Sequence, residues 1–168
     1  GPDSTLTATL SDSLVGNLKA TDRSLIKASI GGTLTGDVSA IDSDIILTAG
    51  SVIGNLYAED DSPASITADV GNVTGSVTAV NTGAKITLTA DTVTGSLATL
   101  HGGTLTASIA NTFMGTTSDD SIEDLATNDL VLNLAGGATW NLTDSSTVST
   151  LNAEGGLLAL WTAGWVRR

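Results

Sequence analysis

Short runs of alternating apolar and polar residues fill most of the chain, separated by turn residues such as Asp22, Asp42 and Gly102-Gly103. Alternation with a period of two predicts β-strands that bury one face. One phrase recurs, in which an apolar residue stands two positions before a glycine and another stands two positions after it. The coil-repeat glycines at its centre are Gly16, Gly36, Gly54, Gly75, Gly95 and Gly115.

These glycines follow one another at intervals of 20, 18, 21, 20 and 20 residues. A second alternating phrase, which begins with an Ile or a Leu, precedes each of them by roughly ten residues. A unit of two short strands cannot bury its apolar face alone, whereas stacked units share one core. We therefore predict an all-β parallel solenoid of about eight coils. A sandwich or an up-and-down barrel is the competing fold, but neither usually repeats its sequence at this period.

Each coil has a predicted inside and outside. The residues two before, two after and four after the glycine share its parity and should point inward, while the glycine allows one tight bend. The residue directly before the glycine should face solvent, and this set comprises Val15, Thr35, Ile53, Thr74 and Thr94.

The repeat divides the chain into segments. Gly1-Pro2 is interpreted as a tag remnant, which would make the chain a piece of a longer protein. Repeating coils are expected over 3–117, and an exposed acidic loop over 118–129. Further coils are expected over 130–156, followed by a cap fragment or tail over 157–168.

Composition supports a folded β protein and excludes several functions. The 27 Thr, 18 Ser and 19 Gly accompany 40% hydrophobic residues and a mean hydropathy of +0.24, which is too apolar for disorder. Only 6 Lys and Arg face 18 Asp and Glu, so nucleic-acid binding and docking to anionic membranes are not expected. No apolar run is long enough to span a bilayer as a helix, so no membrane insertion is expected. The chain has no Cys and therefore no disulfide framework.

Candidate chemistry is sparse, so we predict no enzyme, no cofactor and no metal site. The single His, His101, lies in a predicted turn, and neither a nucleophile elbow nor a zinc-protease motif occurs. The acidic pairs Asp60-Asp61 and Asp119-Asp120 are interpreted as solvated turns, because adjacent strand residues point to opposite faces. Thr-x-Thr phrases are reminiscent of ice-binding solenoids, but they fall in different parts of the coil.

The section near the C-terminus carries a resemblance. The run from Gly137 to Leu151 reads GATWNLTDSSTVSTL, and Gly155-Gly156 follows it. This run resembles the start of the autochaperone segment in autotransporters of the pertactin/AIDA type, from Gram-negative bacteria. The 20-residue period before it agrees with the resemblance. Family members continue for many residues beyond this pattern, whereas this chain runs only to Arg168.

The resemblance implies a single-stranded, right-handed parallel β-helix whose C-terminal region caps the coils. It also implies a non-enzymatic passenger segment, displayed at the bacterial surface after export through the periplasm and outer membrane. Its partners would be its own passenger and a C-terminal β-barrel. The expected role is to seed folding of the passenger and to act as the stalk of a virulence factor. The residues assigned to the seed and cap core are Trp140, Leu142, Val148, Leu151, Gly155 and Gly156.

An alternative function stays open. The side of the β-helix could present Ser, Thr and Asn ladders to a host surface protein or to another copy of the chain, as an adhesin or self-association module does.

Overall fold

A computed structural model of the chain describes residues 3–60, 62–120, 129–155, 157–160 and 166–167. The chain is a right-handed parallel β-helix of about seven turns. In the described part every regular element is a strand, and no helix there is long and apolar enough to cross a membrane. The predicted fold class is therefore confirmed.

Three faces make up each turn. The first face is a ladder of parallel strands that starts at Ser4–Leu10 (β1) and pairs it with Ser24–Thr35 (β4). The following rungs of this face come from Asp44–Ile53 (β6), Ala64–Thr74 (β8), Ala84–Leu100 (β10), Thr104–Asp119 (β11), Leu130–Leu134 (β12) and Thr150–Ala153 (β15).

The second face continues from the first around a corner, often within the same strand. It starts at Leu14–Val15 (β2), passes through β4, β6, β8, β10 and β11, and ends with Thr139–Leu142 (β13) and Leu157–Leu160 (β16). The third face holds the short strands Leu18–Ala20 (β3), Val38–Ile41 (β5), Leu56–Glu59 (β7), Val77–Val80 (β9), the ends of β10 and β11, and Ser146–Thr147 (β14) with Val166–Arg167 (β17).

The register stacks equivalent residues of the repeat directly over one another. Ile45 pairs with Ile66, Ile66 with Ile86, and Ile86 with Leu105. All four side chains are fully buried, as are Val52, Val73 and Val93 on the second face. The core is therefore a set of apolar columns that run the length of the helix, which is what the alternation predicts.

The coil-repeat glycines form a column at the corner between the second and third faces. Each has a φ between +143° and +152°, a region that L side chains rarely adopt. A Cβ on Gly75 would lie 2.1 Å from the carbonyl oxygen of Gly54, and one on Gly115 would lie 1.6 Å from that of Gly95. From Gly36 to Gly115, successive turns therefore approach too closely at this corner for a residue with a Cβ.

A ladder of polar side chains follows the glycine column. The Asn17 Oδ1 atom accepts the backbone N–H of Asp37 at 2.8 Å, and Asp37 Oδ1 accepts that of Asn55 at 2.8 Å. Asn55 Oδ1 then accepts the backbone N–H of Ser76 at 2.9 Å and its hydroxyl at 2.7 Å. Each side chain thus satisfies a corner amide of the next turn, which holds neighbouring turns in register.

The expected acidic loop over 118–129 needs correction at both of its ends. Strand β11 extends to Asp119, and both Asp119 and Asp129 are buried, with 4% and 3% of their surface exposed. The Asp119 carboxyl group lies inside the C-terminal turns, where hydroxyl groups donate to it as described below, whereas Asp129 Oδ2 is buried without a hydrogen-bond partner among the described residues. Residues 121–128 lie outside the described part of the structure.

Candidate functional site in the C-terminal turns

Trp140 is the centre of the C-terminal core. It lies on β13 with no exposed surface, and its ring stacks on Phe113 of the preceding turn with centroids 5.3 Å apart and planes 22° apart. Its indole Nε1–H donates to the backbone carbonyl oxygen of Gly115 at 3.0 Å. Both requirements of a buried Trp, apolar contact and a partner for its N–H, are met here. The predicted burial of Trp140 is confirmed.

The other assigned core residues lie around Trp140. Leu142 and Val148 are buried, and Leu151 is partly buried against the same core. Leu142 pairs with Gly115 and thereby takes the place of a glycine in the corner column. The column of coil-repeat glycines thus ends at Gly115, and Leu142 occupies its position in the next turn, at the start of this cap.

The last two assigned residues contribute less. Gly155 is exposed, with a φ of +72° and no atom within 4 Å of a Cβ added to it. It is a turn residue after β15 and packs against nothing in the core. Gly156, Trp161 and Trp165 lie outside the described residues.

Three hydroxyl side chains accept backbone N–H groups at this end, two of them on the third face and one at the start of β12 on the first face. Ser146 Oγ accepts the backbone N–H of Thr117 at 3.0 Å, and Thr147 Oγ1 accepts that of Asp119 at 2.8 Å. Ser149 Oγ accepts the backbone N–H groups of Asp129 and Leu130 at 3.1 and 3.2 Å. We call Ser146, Thr147 and Ser149 the hydroxyl clamp. These side-chain hydrogen bonds replace backbone pairing with the preceding turn. Among the described strands, β14 pairs through its backbone with β17 alone.

Asp119 places a carboxyl group in a column that is otherwise made of small residues. The column four residues after the glycines reads Ala20, Ala40, Ala58, Ala79, Thr99 and Asp119. The Thr99 hydroxyl donates to Asp119 Oδ1 at 3.2 Å, and the Ser149 hydroxyl donates to Asp119 Oδ2. This column thus changes from apolar to polar over the last turns, and these bonds offset the cost of burying the carboxyl group.

The site residues assigned from the sequence do not include three of these residues, namely Phe113, Asp119 and Ser149. Phe113 occupies the apolar position of the last, degenerate glycine phrase, and its aromatic type was a signal that it packs on another ring. Asp119 has the parity of the inward alanines, which could have marked it as buried. Nothing in the local sequence marks Ser149, because its partner Asp119 is 30 residues away.

Two of the other candidates for chemistry, His101 and Asp120, meet through the backbone of His101. His101 is exposed in a turn, with a φ of +53°, and its backbone N–H donates to Asp120 Oδ2. Among the described residues, no group of three His, Cys, Asp or Glu side chains could hold a metal ion. Asp61, one half of an acidic pair, lies outside the described part.

Tyr57, on the third face, has a shifted pKa. Partial burial, together with a hydrogen bond to Glu59 and the charge of that residue, raises the pKa of Tyr57 from 10.0 to about 12. The Tyr57 hydroxyl donates to Glu59 Oε2 at 2.7 Å. This pair lies on the middle turns, away from the C-terminal core.

Comparison with known proteins identifies no relative. No protein family matches the chain, and neither does any curated protein or solved structure with which it was compared. The functional argument therefore depends on the residues and geometry described above.

Proposed function

We propose that this chain is a non-enzymatic passenger segment of an autotransporter, whose C-terminal turns seed folding of the surface-exposed β-helix. The observation that carries the proposal is the change of core at that end. On the second and third faces, columns of Val, Leu and Ala give way there to the Phe113–Trp140 stack and to the hydroxyl clamp, while the first face keeps its apolar column through Leu105 and Leu130. An end of the helix that contains a large aromatic contact and hydrogen-bonded polar groups is favoured as the end that orders first.

The physical mechanism follows from the parallel pairing. Every strand pair of the helix joins residues from successive turns, so the first turn to form must close a loop before it gains any contact. Each later turn adds to an edge that already exists. A particularly stable end therefore speeds the slowest step of folding, which is formation of the first turn. The remaining turns then act as the stalk. This process needs no nucleotide, which suits folding outside the cell.

The test replaces Trp140 in the full-length protein in its bacterial host. Trp140→Ala should reduce the amount of protease-resistant protein at the cell surface, with accumulation of unfolded or degraded product. Thr94→Ala is the control, because Thr94 is exposed on the second face and its side chain faces solvent. Unchanged display and protease resistance of the Trp140→Ala protein would refute the seeding role.

One observation favours the second candidate, association through the side of the helix with a host protein or another copy. The outward column of the second face carries three exposed apolar side chains, Val15, Ile53 and Met114, with exposed fractions of 83%, 51% and 45%. Threonines separate them in the same column. Beads that carry the chain should then clump, and beads that carry the Ile53→Thr and Met114→Thr double variant should not. Dispersed wild-type beads would count against self-association.

A further inference from the structure

A groove runs along the helix axis where the first and second faces meet. It has a volume of about 620 Å³ and extends from Thr48 to Glu154, across the rungs of β6, β8, β10, β11, β12 and β15. Small residues at the corner, among them Gly71, Ala110 and Ala135, leave the groove open. The proposed folding role makes no use of this feature.

One wall of the groove is a row of polar side chains with one member on each rung. The members stand in register, so successive ones are separated by the rung spacing of about 4.8 Å. The row consists of Thr48, Asp69, Thr89, Ser108, Asn133 and Asn152. It therefore offers hydroxyl, carboxyl and amide groups at a constant interval.

The C-terminal half of this row is held in place by its own hydrogen bonds. Asn152 Nδ2 donates to Asn133 Oδ1 at 2.8 Å, and Asn133 Nδ2 donates to Ser108 Oγ at 3.3 Å. An amide group has two N–H donors and an oxygen with two lone pairs, so each Asn keeps capacity for a ligand. Because the side chains are already ordered, a ligand that binds them loses less free energy to ordering.

We propose that this groove binds an unbranched, neutral polysaccharide that lies along the helix axis with about one sugar per rung. The rung spacing is close to the length of one pyranose unit, and sugar hydroxyls match the donors and acceptors of the wall. An extended peptide advances roughly 3.3 Å per residue, so it meets equivalent side chains only at every second rung. The period of the wall therefore favours the glycan.

Charge narrows the class of glycan further. Asp69, Asp91 and Glu154 line the groove, and none of the described lining residues is Lys or Arg. Acidic polysaccharides are repelled by these carboxylates and by the net charge of −12, whereas neutral sugar hydroxyls donate to carboxylates. The described lining also has no aromatic ring for a sugar to stack on, so the affinity is weak, of the order of millimolar.

The test titrates neutral hexasaccharides, cellohexaose and maltohexaose, into the isotope-labelled chain of 168 residues and follows its amide NMR signals. At least one of them should shift the signals of Ser108, Asn133 and Asn152, and its trisaccharide should bind at least tenfold more weakly. Ala110→Trp fills the groove from its exposed corner and should abolish the shifts. Met114→Trp is the control, because it places the same side chain on the same strand outside the groove and should leave them unchanged.

Three results would overturn the proposal. The first is the absence of shifts with both hexasaccharides at tens of millimolar. The second is equal binding by Ala110→Trp and the wild-type chain, which would place the sugar elsewhere. The third is tighter binding of spermine or hexalysine than of either glycan, since this would show that the groove attracts cations through its carboxylates.

Discussion

The indole N–H of Trp140 donates to the carbonyl oxygen of Gly115, 3.0 Å away on the preceding turn. Gly115 is the last member of the glycine column, and it has a φ of +152°. The bond therefore joins the corner at which the repeat ends to the ring that fills the core of the next turn. It links the repetitive part of the helix to its C-terminal cap.

Replacing Trp140 should separate the contributions of its indole hydrogen bond and of its ring stack to the free energy of unfolding. Trp140→Phe keeps a ring to stack on Phe113 but leaves the Gly115 carbonyl group without this partner, which costs about 1–3 kcal/mol. Trp140→Ala also loses the stack and opens a cavity, which costs about 3–5 kcal/mol. Guanidinium unfolding followed by far-UV circular dichroism measures both. Equal losses for the two variants would mean that the stack contributes nothing.

The glycine column can be tested with two substitutions that share one backbone strain. Gly16 and Gly75 have φ values of +144° and +148°, so Ala at either position costs roughly 1–3 kcal/mol in strain. A Cβ on Gly16 meets no atom within 4 Å, whereas a Cβ on Gly75 lies 2.1 Å from Gly54 O. Gly75→Ala should therefore cost roughly 1–3 kcal/mol more than Gly16→Ala. Equal unfolding midpoints for the two variants would show that the close approach of successive turns at Gly75 does not make the substitution more costly.

Much of the fold was predictable from the sequence because the repeat is local information. Period, strand parity and the bend at each glycine all follow from residues within one 20-residue unit. The corner between the first and second faces was not predictable in the same way. Strands such as β10 pass through it without a turn, and the angle between the faces that creates the groove has no counterpart in the alternation pattern.

The candidate site was predictable only in its apolar half. Trp140 and Leu142 hold alternating positions on one strand, the resemblance adds Val148, and all three are buried. The burial of Asp119 depends on Ser149, which is distant in sequence, and five acidic residues between Thr116 and Asp129 favour a loop. The Asp119 carboxyl group accepts its hydrogen bonds from Thr99 and Ser149, which belong to other turns of the helix.

We expect a small substitution in the hydroxyl clamp to cause a large loss of stability. Ser149→Ala leaves the N–H groups of Asp129 and Leu130 without their acceptor and removes a donor to Asp119 Oδ2. The expected loss of stability is about 1–3 kcal/mol. Ser145→Ala is the control, because Ser145 is exposed and only its backbone N–H is bonded, to Asp144. Tryptophan fluorescence reports on this end of the chain, and coincident unfolding curves for the two variants would contradict the clamp.

Tyr57 gives a prediction for high pH, and it is the only tyrosine in the chain. Its pKa is raised from 10.0 to about 12, so the folded state keeps its proton where the unfolded state loses it. The stability contributed by the neutral hydroxyl is complete below pH 10 and is lost as the pH rises through 12. Phenolate absorbance measures the titration directly. Glu59→Gln removes the neighbouring charge and should lower the midpoint, and a wild-type midpoint at 10 would contradict the assignment.

The seeding role is tested most directly by the order in which the turns form. Pulsed hydrogen exchange during refolding of the chain, read by mass spectrometry, measures when each strand becomes protected. The account predicts that amides of β11 and β13, around Phe113 and Trp140, are protected before those of β1 and β4. Trp140→Ala should delay protection of all turns rather than of the last ones alone. Earlier protection of β1 and β4, or an unchanged order and rate in the variant, would contradict the claim that the C-terminal turns seed the fold.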